Sequence, residues 1–117
     1  MNFKKAREFC AQLRGATTDT KWGSDLVFSV GEKMFAVTGQ DAGHERGFSF
    51  KVDDGRFLEL TDRPGIIPAP YLARAKWVRV EDIGILDDAE ARALLQRSYQ
   101  LVFAKLTKTK QKEIGHD

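Results

Sequence analysis

The sequence predicts a single α+β domain. Three observations predict it: apolar residues at helical spacing near both ends, strand-forming runs between them, and a length of 117 residues that suits one domain. At that length roughly two thirds of the unfolded surface can be buried, so no staple is required. Hydrophobic residues make up 42% and charged residues 31%, which excludes a disordered chain.

Residues 2–14 are expected to form the first helix. Phe3, Ala6, Cys10 and Leu13 make one apolar stripe, Asn2 is the predicted N-cap and Gly15 the predicted stop. Residues 26–30 and 33–38 read as a β-hairpin, with Gly31-Glu32 as a type II′ turn because glycine comes first. Phe48, Phe50 and Val52 alternate with Ser49 and Lys51, the mark of a third, half-buried strand. The polar stretch 39–47 before it reads as a loop. Asp53 or Asp54 is expected to cap a short helix over 55–62, with Phe57 and Leu60 facing inward and Pro64-Gly65 ending it.

Ile66-Ile67 predicts a short strand, and Pro68-Ala69-Pro70 is too rich in proline for a central one. Residues 75–80 predict the last strand. The final helix is expected from 88 to at least 106. Asp87 and Glu90 give a capping-box-like start, and Leu94, Leu95, Ser98, Tyr99, Val102, Phe103 and Leu106 repeat at three- to four-residue spacing. The order is α-β(3)-α-β(2)-α, an antiparallel-rich sheet packed against helices. It spans 1–117 as one domain, with a basic end from about residue 105.

One cysteine, Cys10, leaves no disulfide framework and points to a reducing compartment. The N-terminal residues become charged too soon for a signal peptide, and no apolar run reaches the length of a membrane span. A cytoplasmic protein without membrane contact is expected. The net charge is +2, modest for a nucleic-acid binder, but the charge is unevenly placed. Residues 97–117 carry +3 and the rest of the chain −1.

Pro64-Gly65-Ile66-Ile67-Pro68-Ala69-Pro70-Tyr71-Leu72, followed by Lys76-Trp77-Val78, resembles the MmcQ/YjbR family, as does Ser98-Tyr99-Gln100-Leu101-Val102-Phe103-Ala104-Lys105-Leu106. The first half agrees: a helix, the Trp22-Gly23 pair, Leu26-Val27-Phe28 and Lys33-Met34-Phe35-Ala36 in that order. The resemblance covers essentially the whole chain. It implies a secretion-chaperone-like, frataxin-like α+β fold and a DNA-binding role. It supplies no catalytic motif. The chain departs from a strongly basic pattern, because Thr107 and Thr109 interrupt the C-terminal lysines.

Lys105, Lys108, Lys110 and Lys112 are the first candidates for phosphate contact. If the last helix continues, Lys105, Lys108 and Lys112 share a face. The competing reading is that lysines merely complement the macrodipole at a helix C-terminus. Arg74, Lys76 and Arg79 form the second group, interleaved with Tyr71 and Trp77 as in a surface that stacks on bases. The competing reading places Trp77 in the core beneath a helix.

Asp41, His44 and Glu45 lack partners for a metal site, with His116 the one other histidine, and a solvated loop is expected there. A frataxin-like iron role wants an acidic helix ridge, whereas the first helix carries Lys4, Lys5, Arg7 and Arg14 against Glu8. Cys10 is expected to act as a small buried hydrophobe. Asp53-Asp54 and Asp87-Asp88 read as helix caps, not paired catalytic carboxylates. No phosphate-binding loop, dinucleotide fingerprint or nucleophile elbow is present. The expectation is therefore a non-catalytic DNA-binding protein without cofactor or metal, monomeric or weakly dimeric. The alternative is a chaperone-like module that binds a protein or peptide on its sheet face.

Overall fold

A computed structural model describes residues 1–21, 25–39 and 47–115 of the chain. Helix α1 spans Phe3–Gln12, and its N-cap Asn2 accepts a hydrogen bond from the Lys5 amide at 2.8 Å. Four strands follow: β1 Ala16–Lys21, β2 Asp25–Val30, β3 Lys33–Gly39 and β4 Phe48–Lys51. Then come α2 Asp54–Thr61, β5 Ile66–Pro68, β6 Trp77–Val80, α3 Asp88–Phe103 and α4 Lys108–Ile114. Short 3₁₀ turns cover Ala73–Ala75 and Ile83–Ile85.

The strands form one antiparallel sheet in the order β1-β2-β3-β4-β6-β5. The α+β class and the helix-on-sheet arrangement are as expected. The element order is not: β1 precedes the hairpin and α4 follows α3. β1 reads Ala-Thr-Thr-Asp-Thr-Lys and is almost wholly exposed, so no apolar alternation announces it. Its threonines still favour extended backbone. Polar side chains suit a sheet edge, as does Pro68 in β5 at the opposite edge.

The core lies between one sheet face and α1, α2 and α3. Phe28, Phe35, Phe48 and Phe50 meet Ala6 and Cys10 of α1, Leu60 of α2, and Leu94, Leu95 and Val102 of α3, all at most 6% exposed. The Phe28 and Phe48 rings stack at 6.4 Å, and Phe3 meets Phe48 edge-on at 5.7 Å. Burying such rings is the main stabilising term.

A β-bulge shapes this face. Pairing runs Phe28↔Ala36 and then Ser29↔Met34, leaving Phe35 as the extra residue on β3. Phe35 and Ala36 therefore both enter the helix-side core, at 0% exposure each. Met34 is turned to the opposite face.

Several local expectations are corrected. In the hairpin turn both Gly31 (φ +56°) and Glu32 (φ +71°) are left-handed, which is type I′, not II′. That geometry matches the twist of the flanking strands. Gly31 also faces the Leu106 side chain, which a Cβ there would meet at 2.6 Å. The last strand begins at Trp77, because Ala73–Ala75 is a 3₁₀ turn and Lys76 (φ +63°) is left-handed. Asp53 makes no side-chain cap on α2; its carboxylate accepts two hydrogen bonds from Arg97, at 2.9 Å each. Asp87 does cap α3 through the Glu90 amide. The Glu90 carboxylate reaches Arg63 instead of closing a capping box.

The largest correction is at the C-terminus. The helix does not run through 106. α3 stops at Phe103, Leu106 packs into the core, and Thr107 caps α4 by accepting from the Lys110 amide at 3.1 Å. The Gln111 side-chain amide donates to the carbonyls of Phe103 and Leu106, at 3.1 Å each, partnering groups that the helix end leaves open. The Trp22-Gly23 pair, the proposed Asp41-His44-Glu45 loop and His116 lie outside the described residues.

Candidate nucleic-acid interface

One end of the sheet gathers the cationic side chains. Strand registers place the Gly31-Glu32 turn, Lys51 at the end of β4 and Trp77 at the start of β6 at this end. α4 closes it. Leu106 sits against Gly31, the Lys110 ammonium lies 3.6 Å from the Glu32 carboxylate, and Ile114 abuts Gly15.

Lys51 joins the two groups of basic residues. Its Nζ donates to the Ala75 carbonyl, in the turn that carries Arg74 and leads to Lys76. Burial, followed by the charge of nearby Lys105, holds its pKa below the ordinary lysine value, with Asp54 acting in the opposite sense. Like charges brought together in this way favour an arriving anion, which relieves their repulsion.

The backbone under Lys51 is fixed by a buried hydroxyl. Ser98 of α3 is fully buried; it donates to the Phe35 carbonyl at 2.7 Å and accepts from the Lys51 amide at 2.9 Å. The β3–β4 ladder pairs Ala36 with Phe50, and the serine bridges the next rung. α3 thereby sets where β4 ends and where Lys51 emerges.

The predicted site residues divide. Arg74 and Lys105 are exposed at this end, and Lys76 lies there with its ammonium 5.1 Å from the centre of the Phe57 ring. Lys108 and Lys112 are exposed on α4. The break at Thr107 takes Lys105 out of helical phase with them, so the shared face of three lysines does not form. Lys110 is engaged by Glu32.

Arg79 stands apart. On β6, Val78 and Val80 face the core while Trp77 and Arg79 face away from the helices. Trp77 is 5% exposed, buried as expected but on the second sheet face and not beneath a helix. It is too enclosed to stack on bases. Tyr71 is fully exposed, on a left-handed backbone (φ +67°). Lys51 is the rim residue that sequence reading missed; its one signal was an outward place in the alternation of β4.

Cys10 is buried, which pushes its thiol up to about 12 and leaves it unreactive. Among the described residues, no group of three or more His, Cys, Asp or Glu is placed to hold a metal. No described helix is long and apolar enough to cross a membrane.

A six-stranded antiparallel sheet with its long helices on one face defines this domain as α+β. The YjbR family model matches residues 11–101, and the chain belongs to that family. Its structure is similar to the crystal structure of DR2400 from Deinococcus radiodurans, a DUF419-domain protein. The TM-score is 0.85 at 30% identity, covering 99% of this chain and 89% of that one. A crystal structure of a Pseudomonas syringae protein shares the fold, with a TM-score of 0.71 at 21% identity over 87% of this chain and 99% of that one. No curated protein matches the chain.

Proposed function

We propose that this protein binds duplex DNA through the phosphate backbone, along the basic rim, and does no chemistry on it. The observation that carries the reading is Lys51. Its ammonium binds the turn bearing Arg74 and Lys76 and feels the charge of Lys105, so it links two basic groups that are separate in sequence. Lysine and arginine on phosphates give affinity through counterion release and little sequence preference. For a contact of this size the expected Kd is on the order of 10⁻⁴ to 10⁻⁶ M at physiological salt.

A protein- or peptide-binding role on the second sheet face has less support. Val27, Ser29, Ser49 and Trp77 on that face are each at most 7% exposed, and the apolar surface that remains there lies in a concavity and not in a broad patch for a partner to bury.

The location is tested by titrating the labelled protein with a short duplex and following amide resonances. Shifts are expected at Lys51, Arg74, Lys76, Lys105 and Lys108, with Ile67 and Arg79 unmoved. Shifts centred on Ile67 and Arg79, or none at low salt, would overturn the reading.

A further inference from the structure

The second sheet face holds a cavity that the rim does not use. It measures about 650 Å³, within the range of small-molecule sites, and is lined by Met34, Val37, Ser49, Pro70, Leu72 and Arg79 among others. Its floor follows from the strand registers. Val37 pairs with Ser49, and Ser49 pairs with Arg79, so the three lie in one row across β3, β4 and β6. Directly opposite residues have Cβ atoms about 5 Å apart, which brings the serine hydroxyl beside the arginine stem. The bulge at Phe35 turns Met34 to this face, where it adds a flexible apolar wall.

Arg79 makes no hydrogen bond or ion pair with any described residue, although it is partly buried. Among the described residues, a guanidinium so placed has no anion to compensate it. Asp25 also lines the cavity but does not serve. It starts β2, three strands away from β6, which is roughly 14 Å at the usual strand spacing. A negative group at that far end disfavours a ligand with two acidic ends. Tyr71 completes the mouth on a strained left-handed backbone, the kind of outlier that clusters at ligand clamps.

We propose that this cavity binds a monocarboxylic acid with an apolar body. The carboxylate lies against the Arg79 guanidinium and the Ser49 hydroxyl, and the body lies against Met34, Val37, Pro70 and Leu72. The fork of arginine matches a carboxylate, and the apolar walls select against small hydrophilic anions such as phosphate. The assignment stands apart from the DNA reading, because Arg79 is not on the rim.

The test is calorimetric titration of the full chain with octanoate, with octanol as the neutral match. Saturable one-to-one binding of octanoate is expected, about tenfold or more tighter than octanol. Arg79→Met should weaken octanoate by about tenfold to a hundredfold and leave octanol unchanged. Val37→Phe, which fills the floor without touching charge, should abolish both, and it decides the matter if Arg79→Met fails to fold. Absence of saturable octanoate binding, equal binding of octanol, or undiminished octanoate binding in a folded variant would each overturn the proposal.

Discussion

The Ser98 hydroxyl is the most consequential single group in the structure, because it stands in for a rung of the sheet. It satisfies one backbone acceptor and one backbone donor, from Phe35 and Lys51, in a site without solvent. Ser98→Ala strands both, at a cost of about 1–3 kcal/mol for buried groups left unpaired. Chemical denaturation should show that loss, and a variant as stable as the parent would mean the bridge is dispensable. Two ion pairs contribute to the acid response. Asp53 and Glu90 are held below the usual carboxylate range, first by hydrogen bonds from Arg97 and Arg63 respectively. A folded-state pKa below the unfolded one gives stabilisation that is complete above the ordinary carboxylate range and is lost as pH falls through the folded value. Both pairs are about a third to a half exposed, so solvent screens them and their contribution is small. The thermal midpoint should therefore decline between about pH 6 and about pH 3. The Asp53→Asn, Glu90→Gln double variant should start lower and decline less. Parallel curves for the two proteins would contradict this assignment.

Among the elements, α4 depends most on local chemistry. Its seven residues bury no side chain fully, so its cap, Gln111 and the contact of Ile114 with Gly15 must hold it. Thr107→Ala should cost about 0.5–2 kcal/mol, confined to this element. Hydrogen exchange should quicken at the amides of Gln111 and Gly115, both bonded within α4, while Val78 and Leu95 keep their protection. Uniform loss of protection would mean that α4 is integral to the core. The same region shows what sequence reading can and cannot resolve. Leu106 is in helical phase with Val102 and Phe103, so periodicity extends the helix through it. The chain instead turns there, because Leu106 docks on Gly31, 75 residues earlier, a contact no local pattern encodes. The apolar runs of α1 and α3 were legible because each helix buries one face, and those of β2 and β3 because these inner strands are largely buried. β1 was not, since an edge strand of threonines buries almost nothing. Arg74, Lys76, Lys105 and Lys108 were legible as charges near the chain's basic stretches. Arg79, grouped with them from sequence, takes the second sheet face with Trp77, opposite Val78 and Val80.

At the scale of the whole molecule, a net charge of +2 would argue against nucleic acid if it were spread evenly. The fold concentrates it. The end of α3 brings Lys105 within electrostatic reach of Lys51, while Asp53 is neutralised by Arg97. The molecule extends 39 × 31 × 27 Å, so its footprint is about one turn of duplex at most. Contact with three to five phosphates then predicts a slope of about −3 to −5 in log K against log salt. The most direct measurement is fluorescence anisotropy of a labelled duplex with the protein across a salt series, beside the Lys51→Ala, Lys105→Ala double variant. The account predicts binding that weakens with salt, and a slope that flattens by about two in the variant. No binding at low salt, or an unchanged slope in the variant, would contradict it.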